Sequence, residues 1–240
     1  RSPGGAVTMR GLALGFALAA AATAAACSAP AGPPATGELR IVSLNPCSDA
    51  ILAEVAPDKL VAVSHYSHDP SAGSMPVEEA RRWPATSGSV EEILAAHADM
   101  AVASSFLPPA TRAALDQLGI PVVVLGMSNS VEENLAQVRE LADAVGEEQA
   151  GEALVARIET ALAAAAPPTD SKGPQAILWQ PGGIVPGEGA LVVDLMRRVH
   201  PALRKLTTRR AEFAPQLYFC GGPSLIRAAE RLAAIRDEQT

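Results

Sequence analysis

The chain has 240 residues, of which 48% are hydrophobic and 19% charged, so it is globular rather than disordered and can bury one or two substantial cores. Its formal net charge of −7 excludes the basic face that nucleic-acid binding requires. Aromatic residues make up only 3%, so Tyr66, Trp83, Phe106, Trp179, Phe213, Tyr218 and Phe219 stand out as core anchors or ligand contacts.

Residues 1–27 read as an export signal with an upstream extension. Met9-Arg10 gives a basic start, an Ala-rich apolar run follows, and small residues lead to Cys27. The run is shorter and more Ala-rich than a membrane span of about 20 residues. Two processing routes are open: cleavage after Ala26 to a secreted product, or a lipid anchor on Cys27. Ala24 stands where lipoprotein signals usually carry Leu. Residues 28–38 are rich in Pro, Ala and Gly without hydrophobic periodicity, and read as a flexible tether.

Residues 39–145 form an N-terminal α/β lobe. A β-branched strand over 39–44 ends at Asn45-Pro46, Ser48-Asp49 caps an apolar helix, and a second strand covers 59–63. A long irregular loop over 64–88 follows. Then come a helix from Val90, the strand MAVAS, a helix after Pro109 and the strand IPVVVLG. Four strands interleaved with helices predict a parallel, Rossmann-like sheet whose ligands sit beyond the carboxyl ends of the strands. Those ends hold Asn45-Pro46, residues 64–69, Ser104 to Phe106 and Gly126-Met127. There is no Gly-rich nucleotide fingerprint and no P-loop.

His65, His68 and Asp69 are the most reactive-looking cluster, with metal-ligand or general-base chemistry within their reach. A polar loop in which these groups satisfy backbone partners explains them as well, and no other stretch supplies further ligands, so no metal is assigned. Cys47 at a helix start beside His65 invites comparison with a nucleophile and base. No catalytic elbow, carboxylate pair or metalloprotease helix accompanies it, and the chain reads as a non-enzyme. A disulfide between Cys47 and Cys220 is one possible pairing, which sequence leaves open.

The linking segment 146–170 holds an uninterrupted helix from about Glu147 to Ala166, with apolar Leu154, Ile158 and Leu162 on one stripe; it follows a break at Gly146 and is long enough to join two lobes. Beyond it, 171–240 holds the strand QAILWQ, a Gly-rich loop, the helix ALVVDLMRRV, a strand candidate over 216–219 and a helix over 223–236. The fold class is therefore α/β, with two Rossmann-like lobes joined by one long helix and a truncated second lobe. At least one βαβ unit is missing between Val199 and His200.

The order export signal, tether, RIVSLNPCSDAILAEVA, VAVSHYSHDP, GSVEEILAAHADMAVAS, LGIPVVVLG and long helix resembles the periplasmic substrate-binding proteins of ABC importers for vitamin B12 and ferric siderophores. SHYSHDP and the terminal CGGPSLIRAAERLAAIRD are most similar to the cobalamin branch. The resemblance implies capture of cobalamin or a related corrinoid, or of a ferric siderophore or heme, in a cleft between the lobes, and delivery to permease subunits by a monomer that docks transiently. A metal-ion receptor using His65 and His68 is the competing alternative. The ligand contacts that the resemblance implies are Tyr66, Trp179, Gln180 and either Tyr218 or Phe219, and the strand-end loops add Asn45, His65 and Phe106 as expected contacts. Glu91, or Glu92 by a shift in register, would present a carboxylate to the permease. The same two acids also suit the first turn of a helix.

Overall fold

The computed structural model describes residues 38–167, 178, 185–187, 189–199 and 211–238. The export signal, almost all of the tether and the strand QAILWQ apart from Leu178 lie outside these residues. Strands β1 (Ile41–Ser43), β2 (Leu60–Ser64), β3 (Ala85–Thr86), β4 (Met100–Ser104) and β5 (Val122–Leu125) form one sheet in the order β3-β2-β1-β4-β5. Every neighbouring pair is parallel. All four strands predicted for residues 39–145 are present. The fifth, β3, lies in the segment predicted to be irregular, together with a 3-10 turn at His65–His68 and helix α2 (Val77–Ala80). A two-residue strand among turn-forming residues has no periodicity to betray it; pairing of Val63 and Ser64 with Ala85 and Thr86 defines it.

Because the strands are buried on both sides, adjacent residues serve opposite cores. Val42, Ala62 and Ala101 pack with Ile93 of α3 (Val90–Ala95) and Leu115 of α4 (Pro109–Gln117). Ile41, Val63, Val102 and Leu125 face the larger core, which holds α1 (Pro46–Val55) and α5 (Val131–Ala144). The same core continues outward into α6 (Glu148–Ala165), α7 (Leu191–Val199) and α8 (Ser224–Asp237).

Helix α6 occupies the predicted long-helix segment and buries the expected stripe, Leu154, Ile158 and Leu162, with Val155 beside it. It lies on α5 and α8, and Gly151 permits the approach to α5: a Cβ there would meet the Ala142 Cβ at 2.4 Å. The described residues belong to a single compact unit by their contacts. The strand candidate over 216–219 is instead a 3-10 turn, Pro215–Leu217, because Pro215 opens it and the Tyr218 N–H closes on the Pro215 carbonyl at 3.1 Å.

Candidate ligand-binding site

The sheet changes direction at β1. The chain moves from β1 to β2 and β3 on one side, then crosses back to β4 and β5 on the other. In open parallel sheets such a switch point opens a crevice beyond the carboxyl ends of the strands. A groove of about 360 Å³ lies there, lined by Leu44, Gly88, Ser89, Ser104, Phe106 and Thr111, among others. Its floor is Leu44, just past β1, and the end of β4; its rims are the loops after β3 and β4. The Phe106 side chain is 77% exposed at the mouth.

The loop after β1 is fixed by Asn45, whose side-chain oxygen accepts the Cys47 N–H at 2.7 Å and caps α1. Asn45, and not Ser48-Asp49, is thus the cap: Pro46 takes the first helical position, which places Ser48 and Asp49 inside the first turn, where both are buried. Asp49 turns toward the loop after β2. Its Oδ2 accepts the Ser64 N–H at 2.9 Å and the Ser67 hydroxyl at 2.6 Å. Burial drives its pKa up to about 8 despite the lowering effect of hydrogen bonds from the Ser43, Ser67 and Ser64 groups.

The 3-10 turn held in this way carries His65 and Tyr66, whose rings lie 4.1 Å apart with Tyr66 51% exposed. His65 Nδ1 contacts the Thr86 carbonyl, and His68 Nε2 contacts the carbonyls of Ala80 and Trp83, each at 3.2 Å. Asp69 accepts from the backbone and hydroxyl of Ser71 instead of joining the histidines. Among the described residues, no three His, Cys, Asp or Glu groups converge as a metal site.

Cys47 and Cys220 form a disulfide with Cα atoms 4.8 Å apart across 173 residues, so Cys47 offers no thiolate nucleophile. The bridge brings the C-terminal segment to the start of α1. Buried Asn134 of α5 secures the same loop: its Nδ2 donates to the Cys220 carbonyl at 3.1 Å and its Oδ1 accepts the Gly222 N–H at 2.5 Å. Gly221, at φ +75°, lies so close that a Cβ would stand 2.4 Å from that amide. Nδ2 also donates to Ser128 Oγ at 3.1 Å, which ties in the loop after β5, where Met127 is 71% exposed.

Of the two terminal aromatics, Phe219 is exposed while Tyr218 is buried and stacks on Phe213 at 5.4 Å between centroids. The structure thus places His65 against Tyr66, Phe106 at the groove, and Phe219 beside the bridge that leads to Asn45. Trp179 and Gln180 lie outside the described residues. Sequence reasoning passed over Asp49 and Asn134 as site-forming groups; a carboxyl or amide embedded in an apolar helix face was the available signal.

On the rim, Glu91 and Glu92 separate. Glu92 accepts the Thr86 hydroxyl at 2.7 Å, the Ser87 N–H at 2.7 Å and the Ser87 hydroxyl at 2.9 Å, which hold its carboxyl below the usual range. Glu91 is exposed and makes no side-chain bond to the described residues.

With this geometry in view, residues 41–206 match the family described as periplasmic binding protein. The chain belongs to that family. No curated protein matches it significantly. Among solved structures, it is similar to the periplasmic heme-binding protein HutB of Vibrio cholerae, with a TM-score of 0.60, 18% identity, and coverage of 83% of this chain and 99% of that one. The periplasmic vitamin B12-binding protein BtuF of Vibrio cholerae gives a TM-score of 0.56 at 16% identity, covering 83% and 96%. The periplasmic heme-binding protein RhuT of Roseiflexus sp. RS-1 gives 0.53 at 24% identity, covering 68% of this chain and 64% of its own length. The chain thus spans less than two thirds of RhuT. Its mixed α/β architecture with a parallel five-stranded sheet matches the two-lobe fold of periplasmic binding proteins.

Proposed function

We propose that this periplasmic binding protein captures a large metal chelate, a corrinoid, heme or ferric siderophore, and hands it to the permease of an ABC importer. Cobalamin or a related corrinoid is the first ligand to test, with heme and a ferric siderophore next. The observation that carries the reading is the placement of exposed Tyr66, Phe106, Met127 and Phe219 on the carboxyl-end loops of the first lobe and the segment bridged to it. Exposed aromatic and thioether groups on the carboxyl-end loops, with Phe106 at the groove itself, suit a broad, flat, partly apolar ligand held by stacking and shape, without bond chemistry. Similarity in fold to a vitamin B12 binder and to heme binders supports the same ligand class.

Asn45, His65, Trp179 and Gln180 complete the proposed contacts, while buried Tyr218 supports Phe219 from below. Glu91 is the better placed of the two acids to meet a cation on the permease, since Glu92 is engaged within the molecule. In this reading the protein is exported to the periplasm through residues 1–27, either free or anchored on Cys27, and works as a monomer.

Titration with cyanocobalamin, hemin and a ferric hydroxamate, followed by intrinsic fluorescence and ligand absorbance, tests the proposal. Saturable binding of one ligand is expected, weakened about tenfold or more by Tyr66→Ala or Phe106→Ala. No saturable response to any of the three defeats it. Glu91→Lys should impair uptake in reconstituted importer vesicles while leaving ligand affinity unchanged; equal impairment by Glu92→Lys alone, with Glu91→Lys silent, reverses the assignment.

A further inference from the structure

We propose that Asp49 is a positioning residue for ligand capture, its carboxyl group fixing the His65–Tyr66 turn from beneath the carboxyl-end face; this rests on the capture reading above. Asp49 is fully buried in the first turn of α1, and one of its oxygens receives donors from both sides of the exposed pair. The Ser64 N–H before the pair and the Ser67 hydroxyl after it both end on Oδ2, at 2.9 and 2.6 Å. Ser64 and Ser67 are themselves buried, and Ser64 Oγ accepts the Tyr66 N–H at 3.3 Å. A single acceptor therefore pins both ends of a turn whose two middle side chains face outward.

The anchor works as an uncharged acceptor. No Lys, Arg or His among the described residues pairs with Asp49, and its Oδ1 is buried without a partner. A carboxylate there would have no cation to offset its burial, whereas a neutral carboxyl still accepts both hydrogen bonds. The upward pKa displacement agrees with this. His65 and His68 are tied outward, to carbonyls of residues 80–86, so they hold the turn against α2 and β3 but leave its depth to Asp49. An amide supplies the same acceptor, and an aliphatic side chain of similar size does not.

The test compares the full chain with Asp49→Asn and Asp49→Leu by hydrogen exchange of the peptide covering residues 64–68 and by titration with cyanocobalamin and hemin. Asp49→Leu should speed exchange in that peptide and weaken binding roughly tenfold, the effect of losing about one well-made hydrogen bond's worth of preorganisation. Asp49→Asn should restore both. Wild-type exchange in Asp49→Leu overturns the proposal, and so does an Asp49→Asn chain that is folded yet exchanges like the leucine variant. If Asp49→Leu does not fold, Ser67→Ala removes one of the two donors without burying a mismatch, and unchanged exchange there is equally decisive. Failure of the unaltered chain to bind either ligand sinks the capture reading alone, since exchange at residues 64–68 still decides the anchoring role.

Discussion

In the first lobe, each loop at the carboxyl-end face leaves a strand whose neighbours are hydrogen-bonded on one or both sides, so its position is inherited from the sheet. Residues 211–238 have no strand among those described and reach the same face by other means: one disulfide, one buried amide and the apolar side of α8. A ladder distributes positional information over many regular backbone bonds, whereas the C-terminal segment relies on scattered ties: Cys47–Cys220 and Asn134 at its start, and the Arg227 and Arg236 guanidinium groups donating to the carbonyls of Ser74 and Ala165 along α8. The strands of the first region should survive single changes at their loops; the loop over residues 218–224 should come loose when either the bridge or Asn134 is removed.

The largest expected effect is on the bridge. Cys220→Ser, or reduction of the native chain, should lower unfolding stability by about 2–5 kcal/mol, as expected for closure of a long loop. Urea unfolding with and without reductant measures it, and coincident curves would mean that packing alone holds the segment.

Next comes Asp49, which ties stability of the first lobe to pH. Between its ordinary 3.8 and about 8 the folded chain keeps a proton there that the unfolded chain has released. The unfolded state then binds fewer protons, so this contribution is fullest below the ordinary value. It declines by about 1.4 kcal/mol per pH unit through the window and levels off above it. Melting curves from pH 5 to 8 should show that decline, and Asp49→Asn should flatten it; parallel profiles for the two chains would show that Asp49 ionises normally.

Asn134→Ala strips partners from the Cys220 carbonyl and Gly222 N–H and should cost roughly 2–3 kcal/mol. Hydrogen exchange should then rise in residues 218–224 before it rises in β1 or β4. Uniform acceleration across the sheet would erase the contrast between the regions.

The smallest effect belongs to His97, which ends α3 at φ +50°, a conformation that disfavours a side chain. His97→Gly relieves that strain but loosens the unfolded chain, for a net gain of about 0.5 kcal/mol in thermal unfolding. A loss would show that the imidazole has an energetic role at this surface.

Much of the first lobe was legible because alternating strands and helices carry local signals. The apolar runs at 41–43, 60–64, 100–104 and 122–125 and the stripe on α6 arise from neighbours in sequence, whereas the cap of α1 was misplaced by three to four residues, from Asn45 to Ser48-Asp49. The carboxyl-end loops followed from the topology of parallel sheets, which is how Tyr66 and Phe106 were placed on one face. β3 and α2 were not legible, since both are too short to show a period. Nor was the difference between Tyr218 and Phe219, adjacent aromatics of which one stacks in the core and the other meets solvent.

By itself, then, the sequence determined an α/β chain with a parallel sheet, its strand and helix segments, and a set of exposed loop residues, because hydrophobic periodicity and turn chemistry act over a few residues. Only the tertiary structure decided that Cys47 meets Cys220, that Asn134 holds the loop after it, that Glu92 turns inward while Glu91 does not, and that Asp49 sits beneath the His65–Tyr66 turn. Each depends on groups brought together across the fold, where burial and competing partners, not local pattern, set what a side chain does.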